Sequence, residues 1–143
     1  MKIILDKFHL TIYGFGATAP DKNYSATAFA LSNKMWTIVK AKGLENRGKN
    51  IWVYGGSDTV FAGVELIDPP RAEAGLEKMT LTLDKHASFM HTGSYHHLKE
   101  AWERMAHELH MLGHHGISPY IEIYGHWSAD ESKLETELIM GIL

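Results

Sequence analysis

Seven consecutive residues, Ser118-Pro119-Tyr120-Ile121-Glu122-Ile123-Tyr124, set one carboxylate between two phenols. In a strand the side chains alternate, so Tyr120, Glu122 and Tyr124 share one face and Ile121 and Ile123 the other. The isoleucine face can join a core. The acid face suits a cationic or polar aromatic ligand. Burying an unpaired carboxylate costs several kcal/mol unless a cation arrives, and each ring stacked on that cation adds about 0.5–2 kcal/mol. The sum reaches micromolar affinity, about -8 kcal/mol. The same Glu122 can instead serve as a general base toward water, with Tyr124 or Tyr95 beside it. A solvated glutamate on an edge strand is the plain alternative. Trp52, Tyr54, Tyr95 and Trp127 are further candidate walls, whereas Trp36 and Trp102 fall on helix stripes and read as core.

The ten histidines raise a rival chemistry. His107, His110 and His114 recur at i, i+3 and i+7, with Glu108 and His115 nearby, and three imidazoles can hold zinc or nickel. The order His107-Glu108-Leu109-His110 is not His-Glu-x-x-His, and Gly113 interrupts the last turn, so no metal and no cofactor is expected. His91 reads as a structural hydrogen-bonding residue. The chain has no cysteine, which excludes disulfides, thiol catalysis and cysteine-bound zinc. Gly14-Phe15-Gly16 never completes a phosphate loop, and there is no Gly-x-Ser-x-Gly elbow.

Composition sets the class. In 143 residues, 45% are hydrophobic and 22% charged, as in ordinary globular proteins. The net charge of -3 and the lack of a basic stripe argue against direct nucleic-acid binding. No apolar run approaches a membrane span and the first residues do not form a signal peptide, so the expected location is cytoplasmic.

The elements that must position these groups can be read from periodicity. Ile3–Phe15 is extended, and a helix runs from a cap at Ser25 to Lys42, with Phe29, Met35/Trp36 and Val39 on its apolar stripe. Strands follow at Ile51–Tyr54 and Val60–Ile67. The stretch 69–76 is a linker. Strands at Lys78–Leu83 and His86–His91 lead to a second helix capped by Ser94, with Tyr95, Leu98, Trp102, Met105, Leu109 and Leu112 on its apolar face and Gly113 as its stop. Pro119–His126 and Leu134–Ile142 close the chain. Trp36 aligns with Trp102, Trp52-Val53-Tyr54 with Glu122-Ile123-Tyr124, and Glu65-Leu66-Ile67 with Glu137-Leu138-Ile139. The chain therefore reads as one domain, 1–143, of pseudo-repeats 1–68 and 77–143. The fold class is α+β. Duplicated β-α-β-β units form one curved antiparallel sheet, barrel-like at the limit, of six to eight strands with two main helices. The helices cover one face, and Trp52 and Glu122 look into a groove on the other.

The run Leu83-Asp84-Lys85-His86-Ala87-Ser88-Phe89-Met90-His91-Thr92-Gly93-Ser94-Tyr95 resembles the segment that enters the second helix of GyrI-like, AraC-type bacterial effector-binding domains. Pro119–Tyr124 is similar to that family's Glu-x-Tyr strand, Leu134–Ile142 to its closing strand, and Met35-Trp36 with Asn50–Tyr54 to its first repeat. Gly125-His126-Trp127 stands where the family carries Asp-Pro. The resemblance implies a tandem strand-helix-strand-strand (SHS2) fold with a small-molecule pocket between the halves. It maps the pocket glutamate onto Glu122 and the aromatic wall onto Trp52, Tyr54, Tyr95 and Tyr124. It implies a stand-alone effector-binding protein for aromatic or cationic compounds. The alternatives are a hydrolase of small reactive natural products using the same pocket, and a module for a protein partner or a second copy. No helix-turn-helix is visible, so direct transcription regulation is not expected.

Overall fold

The computed structural model describes residues 1–69 and 74–143. The linker expected at 69–76 lies in part outside the described residues. In chain order the elements are β1 (Lys2–Ile4), β2 (Phe8–Thr18), α1 (Tyr24–Ala41), β3 (Ile51–Tyr54), β4 (Thr59–Val64), β5 (Glu77–Leu83), β6 (His86–Thr92), α2 (Leu98–Met111), β7 (Gly116–Tyr124) and β8 (Glu135–Ile142). Two strands precede each helix and two follow it, so the extended stretch at the start divides at Leu5–Lys7 into β1 and β2.

All eight strands join one antiparallel sheet in the order β1-β6-β8-β7-β3-β4-β2-β5. This order forces the sheet to curl. β1 and β2 lie near opposite edges, yet only Leu5–Lys7 separates them; β5 and β6 do likewise across Asp84–Lys85. Six strand spacings of a flat sheet measure about 29 Å, while three residues span at most about 14 Å between their neighbours. The edges must approach each other at that end. The result is a curled sheet that stops short of a closed barrel.

Curling gives the sheet two apolar faces. One carries no helix: Leu10, Ile12, Ile51, Val53, Phe61, Ile121 and Ile139 bury each other there, joined by Phe8, Met79, Leu81, Leu83 and Ile123. The other face holds both helices. Leu98, Ala101, Met105 and Leu109 of α2 pack on Ala87, Leu138, Met140 and Ile142. Met35 and Val39 of α1 pack on Phe15 and Val64, and Ala28 packs on Val60. The buried stripe of α1 is Ala28, Ser32, Met35 and Val39.

Several sequence expectations need correction. Helix α1 begins one residue before Ser25, with Asn23 at the N-cap. Ser94 caps a 3-10 turn, Tyr95–His97, rather than α2 itself; its hydroxyl accepts from the His96 amide at 3.2 Å. Phe29 and Leu112 are exposed, because the helices meet the sheet along narrower stripes than the hydrophobic pattern suggests. Strand β7 runs inside the sheet between β3 and β8, not at an edge. No helix is long and apolar enough to cross a membrane among the described residues.

Candidate functional site

Strands β3 and β7 pair at the middle of the sheet, with Ile51 opposite Ile123, Trp52 opposite Glu122, Val53 opposite Ile121 and Tyr54 opposite Tyr120. Alternation sends Ile51, Val53, Ile121 and Ile123 to the helix-free core. Trp52, Tyr54, Tyr120, Glu122 and Tyr124 therefore face the helices. This corrects the expected groove: the acid looks into the space between α1 and α2, on the covered face. Packing decides it, since only that face meets Ala28 of α1 and Trp102 of α2.

Glu122 is 6% exposed. Its Oε1 accepts from the Tyr54 hydroxyl at 2.9 Å and the Tyr124 hydroxyl at 2.7 Å, and its Oε2 accepts from Trp102 Nε1 at 2.8 Å. Among the described residues the ion pairs are Arg47–Glu65 and His97–Glu100, so no basic side chain pairs with Glu122. The carboxylate is held by neutral donors alone. Burial and the Glu122 charge push the Tyr54 and Tyr124 hydroxyls far above the ordinary phenol value. Both remain protonated donors throughout the physiological range. The arrangement fixes a negative charge by hydrogen bonds while leaving it without a counter-charge.

Rings wall the acid. Trp52 meets Tyr124 at 4.8 Å between centroids, Tyr95 meets Tyr124 at 5.3 Å, and Trp102 meets Tyr120 at 5.6 Å, all edge-on. Tyr24 of α1 meets Tyr54 edge-on at 6.2 Å, and its hydroxyl donates to Asp58. Of the residues named from sequence, Tyr54, Tyr120, Glu122, Tyr124 and Trp52 come together, and Tyr95 joins them at the rim, 37% exposed. Trp127 does not: it is 76% exposed in the connection between β7 and β8.

Two members were missed. Trp102 read as core because a tryptophan on a helix stripe usually is. Trp36 of α1 behaves alike: its Nε1 donates to a strand-side acceptor, Asn50 Oδ1, which Ser32 also reaches at 3.1 Å. Tyr24 gave no signal, because its place depends on how α1 crosses β3.

The histidines do not converge. Among the described residues no group of three or more His, Asp or Glu side chains is placed to hold a metal ion. His91 Nε2 lies 3.0 Å from the Ser94 carbonyl oxygen, as a structural residue would. Among the described residues three buried polar atoms lack a partner: Trp52 Nε1, His86 Nδ1 and Thr136 Oγ1. A separate cleft of about 520 Å³ opens on the helix-free face, away from Glu122, floored by Val53, Phe61, Met79 and Leu81. It sits at the end of the curl opposite the two short connections and carries no charged side chain.

Comparison with known proteins places the fold. The family model for the GyrI-like small molecule binding domain matches residues 48–143. No curated protein matches the sequence. The fold is similar to that of the EcmrR C-terminal domain, at a TM-score of 0.75 and 15% identity over 99% of this chain and 97% of that one. It is similar to SAV2435 bound to tetraphenylphosphonium, at 0.68 and 17% over 100% and 94% of the two chains. It is also similar to a hydrolase from Listeria innocua, at 0.60 and 13% over 99% and 91%.

Proposed function

The chain belongs to the GyrI-like small molecule binding domain family, and from that premise we propose that it binds lipophilic aromatic cations between its two halves, 1–68 and 77–143. Glu122 supplies the counter-charge, and Trp52, Tyr54, Tyr95, Tyr120 and Tyr124 supply the walls. One observation carries this reading: a buried carboxylate is held by three neutral donors and has no cationic partner among the described residues. Each donor stabilises the charge without cancelling it. An entering cation would find an acid already shielded from water, with aromatic rings beside it to stack on. The cation held in the SAV2435 structure, tetraphenylphosphonium, has the chemistry this site would take.

The test is a fluorescence titration with tetraphenylphosphonium, on wild type and Glu122→Gln. Saturable quenching that weakens at least about tenfold in the variant supports the reading. Quenching unchanged by the substitution removes Glu122 as counter-ion.

A second reading has one observation in its favour. Glu122 Oε2 accepts a single protein donor, which leaves it free to take a proton from a bound water. Glu122 would then be a general base, with Tyr124 and Tyr95 beside the reacting group, as suits the likeness to the Listeria innocua hydrolase. Turnover of a reactive compound that disappears in Glu122→Gln, while the compound still binds, distinguishes hydrolysis from binding.

A further inference from the structure

We infer that Trp52 is a specificity-determining residue whose indole N–H selects cations that also carry a hydrogen-bond acceptor, such as a carbonyl, beside the charge. The inference rests on the proposal that a cation occupies the acid face, and it names the finer chemistry of that cation.

Three indoles lie near this face, and their N–H groups have different fates. Trp102 Nε1 donates to Glu122 and Trp36 Nε1 to Asn50. Trp52 Nε1 is buried and has no acceptor among the described residues. A buried donor without a partner is costly, and folded proteins rarely keep one without a use. Its position suggests the use. Trp52 stands directly across the β3–β7 ladder from Glu122, on the same face, and its ring meets Tyr124, whose hydroxyl donates to Glu122. The ring face of Tyr124 is at most a weak acceptor.

Among the described residues no protein acceptor nearby reaches Trp52 Nε1. Glu122 takes the donors of Tyr54, Tyr124 and Trp102, and Tyr24 bonds Asp58. The site thus offers a bound molecule an anion on one strand and an unused donor on the neighbouring strand. A cation with no acceptor satisfies only the first. A cation carrying an acceptor satisfies both, and it removes the unpaired donor as it binds. A site built this way discriminates strongly against the analogue that lacks the acceptor, because that analogue leaves the buried donor unpaired.

The experiment compares tetraphenylphosphonium with its ortho-, meta- and para-acetyl derivatives, which add one carbonyl at three positions to the same cation. Affinities are measured for wild type, Trp52→Phe and Glu122→Gln, and the indole N–H resonances are followed by NMR. At least one isomer is expected to bind wild type about tenfold or more tightly than the parent. That gain, taken as the ratio of isomer to parent affinity within each protein, should vanish in Trp52→Phe, whatever the variant does to parent binding. The Trp52 indole proton should move downfield with that isomer and not with the parent. The inference is overturned if no isomer gains, or if the gain survives in Trp52→Phe. Parent binding that is insensitive to Glu122→Gln, or absent, marks failure of the cation reading instead, and withdraws the inference with it.

Discussion

Tyr54 and Tyr124 donate their hydroxyls to the same oxygen of Glu122, at 2.9 and 2.7 Å, from the neighbouring strands β3 and β7. Tyr54 reaches Glu122 from β3, whereas Tyr124 and Trp102 lie on β7 and α2, so one of the three donors crosses the β3–β7 pair. In the β3–β7 register Trp52 stands opposite Glu122.

The two tyrosines should therefore be coupled. Tyr54→Phe and Tyr124→Phe each remove one hydrogen bond to a charged group, worth about 1.5–3 kcal/mol. Either remaining donor still serves Oε1, whereas the double variant leaves that oxygen bare. The double loss is expected to exceed the sum of the singles by more than about 0.5 kcal/mol. Urea unfolding of the four proteins measures it, and simple additivity would show that the two donors act separately.

Removing Trp127 should not affect binding. Trp127→Ala is expected to keep tetraphenylphosphonium affinity within about twofold, because the ring is 76% exposed. Tyr95→Ala takes away a ring that meets Tyr124 and should weaken binding by about 0.5–2 kcal/mol. Titration of the two variants side by side checks the contrast, and equal losses would place Trp127 in the site after all.

The acid strand was legible because alternation is local: Tyr120, Glu122 and Tyr124 had to share a face whatever the fold. The side of the sheet on which that face lies was not legible. It depends on where α1 and α2 cross the sheet, which residues 118–124 do not encode. Trp102 packs on the core as its helical place suggests, but its bond to Glu122 was hidden for a related reason. Helical spacing marks the buried stripe but cannot show that an indole N–H at its border reaches a carboxylate. Phe29 and Leu112 show the converse, since they fit the stripe pattern and remain exposed.

Stability should fall at both ends of the pH scale. Burial holds the His86 imidazole below its ordinary value of 6.5, partly opposed by the Glu137 charge. The unfolded chain then takes up a proton more readily than the folded one, so stability is fully present above about 6.5 and declines as pH falls toward the folded value. Tyr54 and Tyr124 act in the opposite sense: the unfolded chain loses their protons above about 10 while the folded chain keeps them. Denaturation midpoints from pH 5 to 11 test this. A His86→Phe variant, which keeps an aromatic ring beside Phe8, should flatten the acid limb. An acid limb unchanged in the variant would assign the loss to other groups.

Gly14 should tolerate no side chain. It pairs with Gly63 on one side and Glu77 on the other, and a Cβ there would lie 1.8 Å from the Ala62 carbonyl oxygen. Gly14→Ala is expected to cost about 2–4 kcal/mol by forcing the strands apart. A thermal melt checks it, and a loss under about 1 kcal/mol would mean that β2 and β4 can separate freely.

The free edges of the curled sheet, β1 and β5, face each other across a seam that no backbone ladder stitches among the described residues. Two short connections pin it at one end, Leu5–Lys7 and Asp84–Lys85. β3 and β7 lie at the far side of the hoop, each paired on both edges. Widening the seam stretches the hoop without undoing any strand pair, and its effect is smallest where the acid sits. The molecule thus combines a compliant joint with a rigid box, so the helix-free interior can breathe while Glu122 and its three donors hold their spacing.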